Sequence, residues 1–320
     1  MMAQRIALQV VRENRQRDFR DSVPPGNYSG ICHIDSCVYA LVDDKSPRDG
    51  FYLFKIDIDS VNGSIKNVSN LGFRSSYKPN RDGEGIAFLP KTKTICIAGE
   101  GDGKIREYAL DGSLTGRVAQ MPETHRKISR RYGLESLTYS QSDSLLYTCT
   151  EAPLTIDDDS LAVVRILSFN SDLQPVNQMA YIMDAPEGVS SAALNYAHGI
   201  SELLALPDGR LLVLEREFFV PKSKIGAWVA CKIYIVDPLS AMQEKENMPS
   251  LKCQLPVLQK QLLTQWRTSL ALFRYELANY EGMCLGPRLT DGSQTIILVA
   301  DSQNQYAGVL RDFFKTIVVK

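Results

Sequence analysis

Acidic side chains recur in this sequence at matching places. Glu84, Glu135 and Glu281 open short apolar runs, and Glu100, Glu151, Glu215 and Asp301 close the runs that follow. Seven carboxylates gathered in one confined site cannot all stay ionised and unpaired. Three outcomes are open. The acids bind Ca²⁺ or another hard cation, which takes about six to eight oxygen ligands. Some of them hold protons and work as a general acid/base pair. Or they are structural, accepting backbone N–H groups and pairing with Arg216, Arg131, Arg81 or Lys104. Arg216 follows Glu215 directly, and alternation along a strand sends the two to opposite faces. Arg216 is then either half of an internal ion pair or, where the chain bends, a partner for a substrate phosphate or carboxylate. His198 opens the fourth run and has an unperturbed pKa near neutrality, which makes it an acid, a base, a ligand or simply a hydrogen-bonded imidazole.

The elements that must position these residues are strands. Runs of about five apolar residues recur from end to end, among them Val38 to Val42, Thr94 to Ala98, Leu145 to Cys149, Arg210 to Leu214 and Thr295 to Val299. Turn signals such as Asp111-Gly112, Pro207-Asp208-Gly209 and Asp291-Gly292 bracket them. Helical periodicity is scarce. Its best stretch, Leu262 to Leu277, reads as a helix or as a strand plus linker.

One pattern occurs five times: a small or acidic residue, usually Gly, an apolar residue, a hairpin, and a strand ending on an acid. The units open at Ser29-Gly30-Ile31, Glu84-Gly85-Ile86, Glu135-Ser136-Leu137, His198-Gly199-Ile200 and Glu281-Gly282-Met283. A third strand follows each acid: Phe51 to Asp57, Lys104 to Leu110, Ala162 to Phe169, Trp228 to Val236 and Gly308 to Phe314. Fourth strands are expected at Ile65 to Leu71, Thr115 to Met121, Val176 to Met183, about Val257 to Leu263, and Thr316 to Val319. Tandem four-stranded units predict an all-β fold, a β-propeller. Five blades is the direct count, and the long fourth unit leaves room for a sixth. Arg5 to Val11 is a strand with no repeat of its own, which predicts that it closes the ring against the last unit. The whole chain, residues 1–320, reads as a single propeller domain.

Composition limits the partners. Lys plus Arg is 36 and Asp plus Glu is 37, a net charge of -1, which argues against general nucleic-acid binding. No apolar run is long enough to span a membrane, and Met1 to Arg5 lacks the basic and apolar regions of a signal peptide. Seven cysteines without a CxxC pair read as buried free thiols rather than a zinc ribbon or disulfide framework. Gly99 to Ile105 fails as a phosphate loop and reads as a turn between strands, and no GxSxG or HExxH is present. Asp157-Asp158-Asp159 is an acidic loop, either solvated or adding to a cation site.

The ordered series Gly83-Glu84-Gly85-Ile86-Ala87, Gly133-Leu134-Glu135-Ser136-Leu137-Thr138, Gly199-Ile200-Ser201-Glu202-Leu203 with Leu212 to Arg216, and Asn279-Tyr280-Glu281-Gly282-Met283 resembles the phytase-like family known as "esterase-like activity of phytase". The resemblance runs over roughly residues 27 to 314. It implies a β-propeller, phosphoester or ester hydrolysis, and export to the bacterial periplasm or beyond.

Two functions compete at this point. The first is a hydrolase of phosphate or carboxylic esters, acting as a monomer on a small-molecule substrate. Glu84, Glu135, Glu281 and Asp301 would hold a divalent cation, Ca²⁺ foremost. Arg216 would neutralise substrate charge, and Glu100, Glu151, Glu215 and His198 would be the general-base or supporting candidates. The second is a non-catalytic propeller binding a ligand or protein partner at the channel mouth. A lactonase-like or sugar-processing propeller is a variant of the first.

Overall fold

The computed structural model describes residues 7–125, 133–157, 161–223, 225–243, 255–271 and 274–320. Among them, five four-stranded antiparallel sheets stand in a ring, as a five-bladed β-propeller. The first blade runs outward from the axis as Tyr28–Asp35, Val38–Asp43, Gly50–Ile58 and Ile65–Ser75. The second is Gly83–Leu89, Thr94–Gly99, Lys104–Ala109 and Leu114–Val118. The third is Thr138–Ser140, Leu145–Cys149, Val163–Phe169 and Pro175–Ile182. The fourth is Ala193–Ala205, Leu211–Pro221, Trp228–Val236 and Lys260–Ala271, extended by the short Arg274–Tyr275.

The fifth blade joins the two ends of the chain. Asn279–Arg288, Gln294–Asp301 and Phe313–Val319 are its inner three strands, and Val10–Glu13 pairs antiparallel with Phe313–Val319 as the fourth. The expected ring closure is therefore present, shifted a few residues along the chain. The expected third strand at Gly308 to Phe314 is not. Tyr306–Gly308 is a 3₁₀ turn, and the third strand begins at Phe313, absorbing the segment expected as a fourth. The stretch from Leu262 is strand rather than helix up to Ala271, because its backbone pairs antiparallel with Trp228–Val236 along a ladder interrupted by a single irregularity between Ile233 and Tyr234.

Each pair of neighbouring blades shares its own apolar core. Tyr28, Leu41 and Phe54 meet Ile297 and Phe314 between blades one and five, and Leu212, Leu214 and Ile233 meet Tyr280 and Ile296 between blades four and five. Both faces of every blade are covered in this way, so the inner strands read as nearly continuous apolar runs.

A one-residue bulge interrupts every innermost strand at the same level. The register slips between Tyr28 and Gly30, Gly83 and Gly85, Ile200 and Glu202, and Tyr280 and Gly282. In the third blade the same slip lies between the Leu134–Thr150 bridge and the Thr138–Tyr147 pair. The bulge re-aims the strand start toward the axis. The residue that follows it is crowded: a Cβ on Gly30 would lie 2.3 Å from the Glu84 carbonyl oxygen, and one on Gly85 would lie 2.3 Å from the Leu137 nitrogen. Gly85→Ala should therefore lower the unfolding free energy by about 1–3 kcal/mol through overpacking against backbone. Urea denaturation reads this directly, and an unchanged midpoint would show that the ring gives way at no cost.

Candidate functional site

The repeated bulge sets up two rings of side chains at one mouth of the channel. The bulged positions themselves carry Ser29, Glu84, Glu135, Ser201 and Glu281. The second strands, one residue beyond the partner of the residue that precedes each bulge, carry Asp44, Glu100, Glu151, Arg216 and Asp301. Arg216 thus occupies the place where the other four blades carry an acid.

That substitution organises the site. Arg216 is only 5% exposed. Its Nη2 donates to Glu151 Oε1 at 2.8 Å and lies 3.9 Å from Glu135 Oε1. Its Nη1 donates to Asn279 Oδ1 at 3.1 Å and lies 3.3 Å from Glu281 Oε1. Asn279 Nδ2 in turn donates to Glu281 Oε1 at 2.8 Å. One planar guanidinium thus spans carboxylates from the third and fifth blades, a task suited to its fixed fork of donors. Burial alone would lower the Arg216 pKa, but the charges of Glu281, Glu151 and Glu135 outweigh it and push it still higher.

The acids exceed this counter-charge. Burial, followed by the charges of Asp44 and Glu281, holds the Glu84 carboxyl well above the usual range. Glu135 is raised by burial, then by Glu151 and Glu84. Glu281 is raised by burial, then by Asp301, with Arg216 opposing. Asp301 is pushed up to about 7 by burial, although Gln303 N–H donates to its Oδ1 at 2.6 Å. Glu100, half-buried, is raised by burial against an N–H bond from Gly133. At neutral pH part of this set stands protonated unless a cation joins it.

The residues named from sequence fall into two groups. Glu84, Glu100, Glu135, Glu151, Arg216, Glu281 and Asp301 line the channel mouth. Glu215 does not: it points to the opposite face of its strand, where it accepts from Tyr181 Oη at 2.6 Å and from Lys260 Nζ at 2.7 Å between blades three and four. Aligning the fourth unit on the bulge moves its start from His198-Gly199-Ile200 to Ser201-Glu202-Leu203. His198 sits upstream on the part of the fourth blade that rises above the mouth. It is paired in register with Glu217, and burial lowers its pKa. Asp157 is neither solvated nor at the mouth. It forms a buried ion pair with Arg165 at 2.7 Å, while Asp158 and Asp159 lie outside the described residues. Arg81 turns to Asp102 and Asp49 instead of the channel acids, and Arg131 lies outside the described residues. The described cysteines are free thiols, five of the six buried, and Cys253 is outside the described residues.

Four further residues at the mouth are not among the site candidates read from the sequence. Asn279 orients Glu281. Glu202 fills the crowded level where blades one, two and five have glycine. It is 1% exposed, and its Oε1 accepts N–H bonds from Leu137 at 3.3 Å and Leu203 at 3.0 Å. Its Oε2 has no partner, and burial raises its pKa. Asp44 and Asp82 join Glu84 in a trio whose carboxylate oxygens lie within 4.8 Å of one another. Lys45 Nζ reaches both aspartates, at 2.7 Å and 2.6 Å. Burial pushes Asp44 up to about 6, and its Oδ1 is buried without a partner. The trio is an all-oxygen donor set, suited to a hard divalent cation. Glu135 and Glu281 are held instead by Arg216. Asp44 was within reach of the sequence as the acid closing the first unit, in Val42-Asp43-Asp44. Asp82 had no repeat to mark it.

The family model described as "Phytase-like: Esterase-like activity of phytase" matches residues 23–303. No curated protein matches the sequence. Among solved structures, the chain is similar to a putative oxidoreductase (glucose dehydrogenase) of Thermus thermophilus. The identity is 11%, with 94% of this chain and 99% of that one covered and a TM-score of 0.45. It is also similar to an endo-1,4-beta-xylanase of Bacteroides thetaiotaomicron, at 13% identity, 92% of each chain and a TM-score of 0.42. A streptogramin B lyase gives 12% identity, 96% of this chain and 98% of that one, and a TM-score of 0.41. Likeness at this level carries no argument about activity.

Proposed function

We propose, from the premise that this chain belongs to the phytase-like family, that it hydrolyses phosphate or carboxylic esters at the acid-lined channel mouth with a divalent cation, Ca²⁺ foremost. The observation that carries this reading is the mouth itself. Buried carboxyls from several blades face one another around a single fixed guanidinium, in a number that one guanidinium cannot neutralise.

Glu84, with Asp44 and Asp82, would hold the cation, and Glu281 and Asp301 stand beside that set. A bound divalent cation supplies Lewis-acid polarisation of a substrate oxygen and a more acidic bound water. The remaining chemistry belongs to the chain. Arg216, locked by Glu151 and Asn279, presents fixed positive charge to an oxyanion. Asp301, titrating near 7, is placed to take up or give a proton at its carboxyl while Gln303 N–H fixes Oδ1. Glu135, 3.9 Å from Arg216 Nη2 and beyond hydrogen-bond distance of it, keeps a carboxyl free to accept a proton or to give one.

Turnover of p-nitrophenyl phosphate, p-nitrophenyl acetate and phytate, each with Ca²⁺, Mg²⁺ or Mn²⁺, tests the reading. Activity should need a divalent metal, and Glu135→Gln should cut kcat at least about tenfold, at the low end for a lost acid/base group. No turnover with any metal, or undiminished turnover in Glu135→Gln, defeats the hydrolase. The ring would then be a propeller that binds a ligand or partner without chemistry.

A further inference from the structure

Among the described residues, the innermost strand of blade four alone runs well past the ring. Ala193 to Ile200 precede its bulge, where Tyr28, Gly83 and Leu134 stand alone in the first three blades and Asn279-Tyr280 in the fifth. At about 3.3 Å per residue the strand projects roughly 20 Å farther than its neighbours. Only one side of this projection is paired, to Leu211–Pro221. On the other side Ile200 donates its outward N–H to the Glu151 carbonyl at 3.0 Å. The two-residue alternation of an antiparallel ladder turns the N–H and C=O of His198 and Tyr196 the same way. Neither residue has a backbone partner on that side among the described residues. An open edge thus overhangs the acids of the mouth. Open edges are usually guarded by charge or proline. The outermost strands of blades one to five carry Lys66, Arg117, Pro175, Arg267 and Arg12. Ala193 to Gly199 carries no proline and, with His198 neutral, no charge, and Leu194 on it is 56% exposed. The projection is also braced. Phe219 stacks on Trp228 at 5.3 Å, with the Arg267 guanidinium over the indole. Glu217 accepts the N–H groups of Glu187 and Gly188 and the Tyr196 hydroxyl.

We infer that this edge is a docking site for an extended, lysine- or arginine-bearing segment of a partner protein. The segment adds as a further strand along Tyr196 and His198, its main chain pairing with their free N–H and C=O groups. Its basic end enters the mouth below. Charge selects this occupant. Glu135, Glu151 and Glu281 share one guanidinium, that of Arg216, so a basic end is attracted and an acidic end repelled. The braced edge has little to order on binding, which lowers the cost of adding a strand. Binding here requires neither metal nor turnover, so it stands or falls apart from the hydrolase reading.

The probe is a short, capped, fluorescein-labelled peptide that alternates valine and threonine and carries lysine at each end, so that either strand direction brings one lysine to the mouth. Anisotropy titration of the full chain in EDTA should show saturable binding. Replacing the lysines with glutamate should weaken it at least about tenfold. N-methylation of the central peptide bonds should cost about tenfold as well, through lost main-chain hydrogen bonds. In the complex, hydrogen exchange at the Tyr196 and His198 amides should slow at least about tenfold. His198→Pro removes one outward N–H at an edge position, where proline is tolerated, and should weaken binding by a similar factor. Circular dichroism and the unfolding midpoint check its fold, and the peptide variants carry the test alone if it does not fold. No saturable binding, equal binding of the glutamate peptide, or unslowed exchange at Tyr196 and His198 refutes the site. A free chain that already sediments as a dimer with these amides protected makes the occupant a second copy and refutes it equally. Peptide binding as described without turnover of any ester leaves the docking edge standing and the hydrolase fallen. Turnover without peptide binding shows the converse.

Discussion

Replacing Arg216 with methionine should lower the unfolding free energy by roughly 3–5 kcal/mol at alkaline pH, the range found when one member of a buried charge network is removed. The side chain is almost wholly buried, and it contacts Glu135, Glu151, Glu281 and Asn279 at once. Methionine keeps most of the volume, so the loss is electrostatic rather than a cavity. Its pH dependence separates the two causes. Without the guanidinium, the carboxyls that face one another are raised further, and they escape the repulsion by holding protons. At about pH 5 they can do so at little cost; at about pH 8 they cannot. The deficit relative to wild type should therefore grow with pH, which a cavity would not do. Arg216→Lys should recover only part, because an ammonium is a point charge that cannot span acceptors on two blades. Adding Glu281→Gln to Arg216→Met should recover part as well, measured as a coupling energy in a double-mutant cycle. Urea unfolding of these variants at the two pH values decides the matter. An Arg216→Met deficit that is small, or equal at both, means that the guanidinium is not the counter-charge of the ring.

The sequence made the strands legible because each inner strand is buried on both faces and flanked by turn residues, so apolar runs and Asp-Gly pairs mark it without tertiary knowledge. It made the ring legible because the same crowded backbone position recurs, and only small residues are tolerated at most of its copies. It failed where an extra residue enters. Ser201-Glu202-Leu203 is the true counterpart of Glu84-Gly85-Ile86, but the His198-Gly199-Ile200 triplet looks more like it, and choosing that triplet puts Glu215 in the channel and brings Arg216 to the site only through a bend of the chain. A bulge is invisible to a pattern that counts alternation, because it changes which face a residue takes without changing its type. The last blade failed for a similar reason. The apolar run at Phe313–Val319 reads as two strands split near Lys315, although the N-terminal strand already expected at this blade is itself the fourth partner. Asp82 has no repeat at all. It lies in the connection between two blades with a left-handed backbone, φ 59°, and reaches Lys45 and the trio only through the fold.

The unfolding free energy of the metal-free protein should fall as pH rises from about 5 to about 8, against the common tendency of proteins rich in salt-bridged carboxylates. Asp301 sets the sign. Its folded pKa, about 7, lies above the ordinary 3.8, so between these values the folded state keeps a proton that the unfolded chain has released. More protons bound in the native state make the slope of stability with pH negative. The contribution is complete below the unfolded value and is lost as pH climbs through about 7. A shift of that size is worth on the order of 4 kcal/mol. Asp44, raised to about 6, acts in the same direction, as do the raised carboxyls of Glu84, Glu135 and Glu281. Asp301→Asn should flatten the curve and leave the variant more stable than wild type at pH 8, because the amide never has to be deprotonated there. Calcium enters through the same protons. A cation that binds the ionised carboxylates competes with protonation, so it should stabilise strongly at pH 8 and little at pH 5, by about 2.7 kcal/mol when present at a hundred times its Kd. Thermal and urea unfolding across that range, with and without Ca²⁺, give the answer. Stability that rises with pH would mean that the mouth carboxyls are ionised and paired in the native state. A calcium effect equal at both pH values would place the ion away from these acids.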